Sequence, residues 1–329
     1  MIKIVKHKKI DDLKDKWQTL YKSCTNIVPM ASFDFVKIFT SDLASKLKKI
    51  IKKDSAPVYF EVLEGNITKL ILPAICNGDN IESLYTLDYY DCIYDNNSTG
   101  EQVVKYLESI SRYENKPLII KRLKDDGATY SKLKSLLEFE KHNECVKILF
   151  TDNYDEYYSS LSKSARQNLR TAYNRAKTDN LNFDYEIHFG KSNKKVQKQL
   201  NKIYLNRRSS RYNNMSGLKK MLFNLSDKIA DVCFGLQDSF YACLTLNKKP
   251  VAFMAGIVNG QELIVPRLAI NDKYSRYSLG IVLVNETIKA IQQKGYTCLD
   301  LSTGTEQYKY QMGGTPHFTY EMKIDINNN

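Results

Sequence analysis

The sequence is sparing in the residues that mark specialised chains. It has 14 glycines and 7 prolines in 329 residues, too few for a fibrous or low-complexity chain. No apolar run approaches the roughly 18 residues that a membrane span requires. The first ten residues, Met1 to Ile10, lack the apolar stretch of a secretory leader. The 7 cysteines are odd in number and scattered, with no CxxC pair or other metal-like spacing. In a chain of this length they read as reduced, mostly buried thiols. The 4 histidines, His7, His142, His188 and His317, form no metal-like cluster. Neither a Ser/His/Asp esterase signature nor a Walker loop is present. These absences predict a cytoplasmic protein with no metal and no stable membrane insertion.

What is present is a core and an excess of positive charge. Hydrophobic residues make up 43% of the chain, enough for a sizeable interior. At roughly 150 residues per domain, the length suggests two domains, divided into 1–150 and 151–329. Lys and Arg number 49 against 37 Asp and Glu, a net charge of +12. Up to Phe150 the balance is 24 basic to 21 acidic residues, and beyond it 25 to 16, so the second half carries +9. Its densest basic stretch runs from Leu161 to Lys177, with no acid between Glu156 and Asp179. At helical spacing Leu161, Ala165, Leu169, Ala172 and Ala176 share one stripe. Lys163, Arg166, Arg170 and Lys177 share another. That ridge is either a solvated face or a docking surface for an anionic ligand.

Both halves show the same order of elements. In the first, Val58–Leu63 and Ile67–Leu72 flank the turn Glu64-Gly65-Asn66. A strand over Tyr89–Tyr94 follows, then a helix opened by Gly100, a strand over Pro117–Leu123, a helix near Tyr130–Glu138 and a strand over Cys145–Phe150. In the second, Phe240–Leu246 and Val251–Val258 flank Asn247-Lys-Lys-Pro250. They are followed by a strand over Glu262–Ile270, a helix opened by Gly280, a strand over Thr297–Leu301, a helical piece near Glu306–Met312 and a strand over His317–Ile324. Helices over Asp11–Ser23 and Phe33–Lys49 precede the first unit, and Ser160–Lys177 and Val196–Arg208 the second. This is one α/β unit used twice, a repeat of structure rather than of sequence.

Two segments of the second half carry candidate chemistry. Asn271 to Gly280 joins a strand to a helix whose inner face is Ile281, Val284, Ile288 and Ile291. Unpaired N–H groups at a helix start favour an anion. Arg276 adds a charge, Ser278 a hydroxyl and possible cap, and Gly280 room for close approach. The same residues could instead simply start a helix well. Further on, strand alternation puts Cys298, Asp300 and Ser302 on one face, and a carboxylate at a strand end often lines a ligand crevice. Tyr308 and Lys309 could protonate a leaving thiolate or pair with an anion. Asp300 and Lys309 could equally form a structural ion pair.

These residues carry a resemblance when taken in order. They include Trp17-Gln-Thr-Leu20, Ser32-Phe33, Leu72-Pro73, Asp88-Tyr-Tyr-Asp91 and Leu161-Ser162 with Arg166 and Arg170. Lys249-Pro-Val-Ala252, Ser278-Leu-Gly280, Asp300-Leu301, Gly304, Tyr308 and Lys309 complete the series. The second half resembles the GNAT acyltransferase core, and the whole chain resembles the CelD-like branch of that superfamily. Fem-type aminoacyl-tRNA-dependent ligases are similar in architecture. The loop departs from the usual GNAT pattern by lacking a second glycine, and Leu279 stands where the CelD-like branch commonly has proline.

The resemblance implies two tandem GNAT-like α/β domains, each a mixed, mostly antiparallel sheet flanked by helices. It implies acetyl-CoA or another acyl-CoA as co-substrate, held at Arg276, Ser278, Leu279 and Gly280. The acceptor would be an amine or hydroxyl of a small molecule, glycan or peptide, met by Tyr90, Asp91, Arg166 and Arg170 and shaped by the first domain. Asp300 would be the general base, Tyr308 the acid for the thiolate, and Lys309 the partner of an anionic group. The alternatives are aminoacyl transfer from charged tRNA and a non-catalytic GNAT-like module for an anionic ligand.

Overall fold

A computed structural model describes residues 1–40, 56–84, 87–151, 153–211 and 229–326. The distal part of the helix expected over Phe33–Lys49 lies outside the described residues. The chain forms two compact units, Met1–Glu144 with Phe318–Asn329, and Cys145–His317. A single cut near residue 150 would misassign the C-terminal strand, which belongs with the first unit from Phe318 onward.

In the first unit, strand β1 (Ile2–His7) pairs antiparallel with β2 (Pro57–Glu64), which pairs with β3 (Ile67–Cys76) across the expected turn. Next to β3 lie β4 (Ile81–Ser83), β6 (Leu118–Lys124) and the later part of β13 (Thr315–Ile324). Only the β4–β6 pairing is parallel within this set. The two-residue strand β5 (Ile93–Tyr94) pairs with β3 to one side. Helices α1 (Lys14–Ser23), α2 (Phe33–Thr40), α3 (Gly100–Glu114) and α4 (Ala128–Leu133) complete the unit. Helix α3 starts where its sequence says it should. Thr99 accepts a hydrogen bond from the Gln102 N–H at 3.2 Å and donates its own N–H to the Gln102 side chain at 2.8 Å, a reciprocal cap that satisfies two otherwise orphaned donors.

The second unit has the sheet order β7, β12, β11, β10, β9, β8. These are β7 (Glu140–Leu149, in this unit from Cys145), β8 (Phe183–Phe189), β9 (Ser239–Leu246), β10 (Lys249–Asn259), β11 (Glu262–Ile270) and β12 (Cys298–Thr303). All pairings here are antiparallel except β11 with β12. The helices are α5 (Tyr154–Ser160), α6 (Lys163–Thr178), α7 (Lys194–Arg211), α8 (Ile229–Gly235), α9 (Leu279–Gln292) and α10 (Gln307–Gln311). The apolar stripe read from the sequence is the buried face of α6, with Leu161 just ahead of the helix: Leu161, Ala165, Leu169, Ala172 and Ala176 are all at most 3% exposed. Together with Ile281, Val284, Ile288 and Ile291 of α9 it packs into one hydrophobic core. Burying such side chains is worth about 1.5–3 kcal/mol for each large aliphatic one.

Some elements differ from the sequence expectation. The tyrosine-rich stretch 89–94 is a strand only at Ile93–Tyr94, with a single bridge from Tyr90 to Leu123. The helix expected near Tyr130–Glu138 is confined to Ala128–Leu133. Strands β1 and β8 were not expected, although Phe183, Tyr185, Ile187 and Phe189 alternate with more exposed residues as a half-buried strand requires.

Candidate functional site

The site is built at the carboxyl ends of β11 and β12. These parallel strands pair at Glu262 with Cys298, Leu263 with Leu299 and Ile264 with Asp300. Their ladder stops there, although β11 runs on to Ile270 and β12 to Thr303. The opening coincides with a bulge on the other side of β11, where the β10 register shifts between Ala255 and Ile257. Gly256 makes that bulge possible, because a Cβ there would lie 1.8 Å from the Ile264 carbonyl oxygen. Backbone beyond Ile264 is therefore outside any ladder with β12.

The chain leaves β11 through a 3-10 turn, Asp272–Tyr277, and reaches α9 through Ser278 in the left-handed conformation, φ 50°. Ser278 is at the cap position, but its side chain makes no capping bond and the first turn of α9 has no acid. The Ser278 carbonyl accepts the Ile281 and Val282 N–H groups at 3.0 and 3.2 Å. The N–H groups ahead of these are left without intrahelical acceptors by helix geometry. Leu279 is buried and turns into the core, so only its backbone could meet a ligand. Gly280 has no packing reason to be glycine: a Cβ would meet the Tyr308 ring at an ordinary 3.7 Å.

Arg276 is exposed and pairs with Asp179 at 3.3 Å. The Tyr277 hydroxyl donates to the same carboxylate at 2.5 Å, and Arg175 donates to the Arg276 carbonyl at 2.8 Å. The bond to Asp179 holds the Tyr277 phenol above its ordinary range. These contacts pin the loop to α6. An exposed ion pair is worth about 0–1 kcal/mol, so the Arg276 charge can be redirected to a phosphate at small cost.

Asp300 and Lys309 do not pair in the way the sequence suggested. Asp300 is completely buried; its Oδ1 accepts the Ser302 N–H at 2.7 Å and lies 3.6 Å from His317 Nε2. His317 is itself buried. The Lys309 ammonium, also buried, donates to the carbonyls of Leu301, Thr303 and Gly304 at 2.9–3.0 Å and of Ser302 at 3.3 Å. It also lies 3.2 Å from Glu306. With its donors turned to this loop, Lys309 shapes residues 301–304. Tyr308, half-buried on α10, brings its ring against the start of α9.

The acceptor-side candidates fall in different parts of the chain, Tyr90 and Asp91 in the first unit and Arg166 and Arg170 on α6 of the second. Tyr90 and Asp91, in the first unit, are buried. The Tyr90 hydroxyl donates to the Pro73 carbonyl at 2.8 Å. Asp91 accepts N–H groups from Thr129, Val28 and Ala128 at 2.8, 2.9 and 3.3 Å. Both hold loops of the first unit together through these bonds. Arg166 donates to the carbonyls of Ser159 and Leu161 at 2.5 and 2.7 Å, closing the carboxyl end of α5. Arg170 is exposed and bonds to Gln167. Sequence reasoning passed over Gly256, whose only signal was a glycine inside a strand pattern, and the loop-shaping role of Lys309, which depends on backbone geometry.

No group of His, Cys, Asp and Glu among the described residues could hold a metal ion. All 7 cysteines are free thiols. No described helix is long and apolar enough to cross a membrane.

Residues 236–310, which contain the opened strands, the loop and Tyr308, match the family model of an acetyltransferase (GNAT) domain. Solved structures extend the likeness over the full chain. A conserved protein of unknown function from Bacteroides thetaiotaomicron is 14% identical over 98% of this chain and 99% of its own, with a TM-score of 0.58. FemX is 12% identical over 98% of both chains, with a TM-score of 0.54. A tandem GNAT protein from the clavulanic acid biosynthesis pathway is 7% identical over 100% of both, with a TM-score of 0.51. No curated protein sequence matches the chain. The chain has the GNAT-superfamily fold, and its second unit carries a GNAT domain.

Proposed function

We propose that the chain is an acyl-CoA-dependent N- or O-acyltransferase of the CelD-like branch. Its specific reaction would be acetyl transfer to an amino group of a sugar, a polysaccharide precursor or a peptide. The observation that carries this reading is the early end of the β11–β12 ladder beside the start of α9. Unladdered strand backbone suits an extended, amide-bearing arm, which can bond to it as an added strand would. A helix start with no acid and no side-chain cap suits the phosphates at the far end of that arm, with Arg276 nearby in sequence.

The acceptor nitrogen or oxygen attacks the thioester carbonyl and gives up its proton to water, and the carbon–sulfur bond breaks as the new bond forms. Tyr308, at the helix start, supplies a proton to the departing thiolate. A thiol has a pKa near 8.5, so this proton helps without being indispensable. The burial of Asp300 suits holding Ser302 and His317 in place rather than taking a proton from the acceptor itself. Positioning and hydrogen-bond donors to the developing oxyanion supply most of the acceleration.

The test is thermal. CoA and acetyl-CoA should raise the melting temperature of the wild type by mass action. Gly280→Asp should abolish the rise while keeping the fold, because an acid in the first helical turn favours the helix and its Cβ finds space beside Tyr308. No rise in the wild type at millimolar ligand overturns the acyl-CoA reading.

A second reading, aminoacyl transfer from charged tRNA, is favoured by α7. Lys194, Lys195, Lys198 and Lys202 are all exposed there and the helix contains no acid. Steeply salt-dependent binding of tRNA, with no response to CoA, would move the assignment to that class.

A further inference from the structure

Ser302 is set apart from every other residue of the site by how it is held. The pairing of β12 with β11 ends two residues earlier, at Asp300, and the pairing of β12 with β7 shifts register between Asp300 and Thr303. Ser302 thus sits in a bulge on β12, where both neighbouring ladders are interrupted. Its backbone is left-handed, φ 54°, a conformation that disfavours residues with a Cβ. Three neighbours enforce it. Asp300 accepts the Ser302 N–H, His317 lies against Asp300, and Lys309 gathers the Ser302 carbonyl with those of Leu301, Thr303 and Gly304.

While the backbone of Ser302 is satisfied, its hydroxyl is not. The residue is 1% exposed and its Oγ has no hydrogen-bond partner. Buried hydroxyls are normally paired, and strained residues cluster where ligands bind. A serine kept in a conformation that suits glycine, with a buried unpaired donor, has no explanation in the fold alone. Alanine or glycine would remove the orphaned hydroxyl, and glycine would also remove the strain.

We propose that the Ser302 hydroxyl is a ligand-binding group that donates a hydrogen bond to a carbonyl oxygen of the acyl-thioester arm entering between β11 and β12. This rests on the acyl-CoA reading above. The carbonyl is either the thioester's own or an amide of the arm, and free CoA distinguishes them because it has the amides and lacks the thioester.

Isothermal titration of wild type, Ser302→Ala and Ser302→Gly with CoA and with acetyl-CoA tests the assignment, alongside the melting temperature of each variant. Loss of one neutral hydrogen bond should weaken binding about threefold to tenfold. Melting temperatures should be unchanged or higher, the opposite of what loss of a structural serine would produce. Weaker binding of acetyl-CoA alone assigns the bond to the thioester carbonyl, and equal weakening of both ligands assigns it to an amide. Either supports the proposal. If the wild type binds both ligands and both variants bind them as tightly, the assignment of Ser302 falls and the donor reading stands. If the wild type binds neither ligand, both fall together.

Discussion

Two aspartates with almost no exposed surface illustrate how differently one side chain can be used. Asp300 faces a histidine and a strained serine in the second unit, whereas Asp91 in the first unit collects three backbone N–H groups that would otherwise be unpaired. Burial dominates the titration of Asp91 and pushes its carboxyl up to about 6, even though the three N–H bonds favour the ionised form. The folded state therefore binds this proton more tightly than the unfolded chain, whose reference is 3.8. The stability linked to the proton is fully present below that reference and is lost as pH rises through about 6. The span of roughly two units corresponds to about 3 kcal/mol. Asp91→Asn cannot reproduce the arrangement, since its amide nitrogen would oppose an N–H donor. We expect the variant to be less stable at pH 4 by a few kcal/mol, with the gap narrowing toward pH 7. Urea unfolding at the two pH values measures this, and a gap that widens with pH would refute the assigned direction.

At the scale of elements, what was legible depended on whether the signal was local. The helices α6 and α9 announced their buried faces by spacing, and the β2–β3 and β9–β10 hairpins by their turn residues. Cys92 shows why the tyrosine strand is short: its N–H donates to the Thr129 hydroxyl at 2.9 Å instead of to a neighbouring strand, while Tyr90 keeps its bond to the Arg122 carbonyl. The Arg166 and Arg170 ridge was correctly placed on one helix face, yet the carbonyls that engage Arg166 come from a helix end that spacing alone did not reveal. Likewise, the loop and strand that carry the candidates Arg276, Ser278, Gly280, Asp300 and Tyr308 were legible as elements, but the gap between β11 and β12 was not. It depends on a strand pairing that stops, which no periodicity encodes. Gly256 lies against Ile264, the residue at which it stops. Gly256→Ala must displace the Ile264 carbonyl, so we expect destabilisation of roughly 3 kcal/mol, the upper end for overpacking. Any response to acetyl-CoA should be lost with it. Gly78→Ala, where a Cβ meets nothing within 4 Å, should stay within about 0.5 kcal/mol of wild type. Equal unfolding midpoints for the two variants would show that the bulge tolerates a side chain.

For the whole molecule, the main departure from an ordinary stable surface is its charge. The net +12 is concentrated in the second half, and α7 is its most unbalanced described helix. Lys194 and Lys195 occupy the first turn, where the helix dipole favours acids, and Lys198 and Lys202 follow at helical spacing with no acid in the helix. The lysines therefore oppose both the dipole and one another. Replacing Lys194 and Lys195 with glutamate would put negative charge at the helix start and place residue 194 four positions ahead of Lys198, the favourable order for an acid and a base. We expect this double variant to be more stable than wild type by about 0.5–1.5 kcal/mol at low salt. The gain should shrink as salt screens exposed charges, whose interactions fade beyond about 10 Å at 0.1 M. Chemical unfolding at low and high ionic strength measures both effects. A variant no more stable than wild type at low salt would mean that these lysines do not interact unfavourably. If the gain appears, a helix start that opposes its own dipole has been kept despite an accessible improvement, which favours an anionic partner at this face. The same variant then separates the two proposed chemistries. Weakened tRNA binding with an unchanged response to CoA would place the cationic helix on the acceptor or alternative-donor side of the reaction, whereas a reduced response to CoA would place it beside the nucleotide.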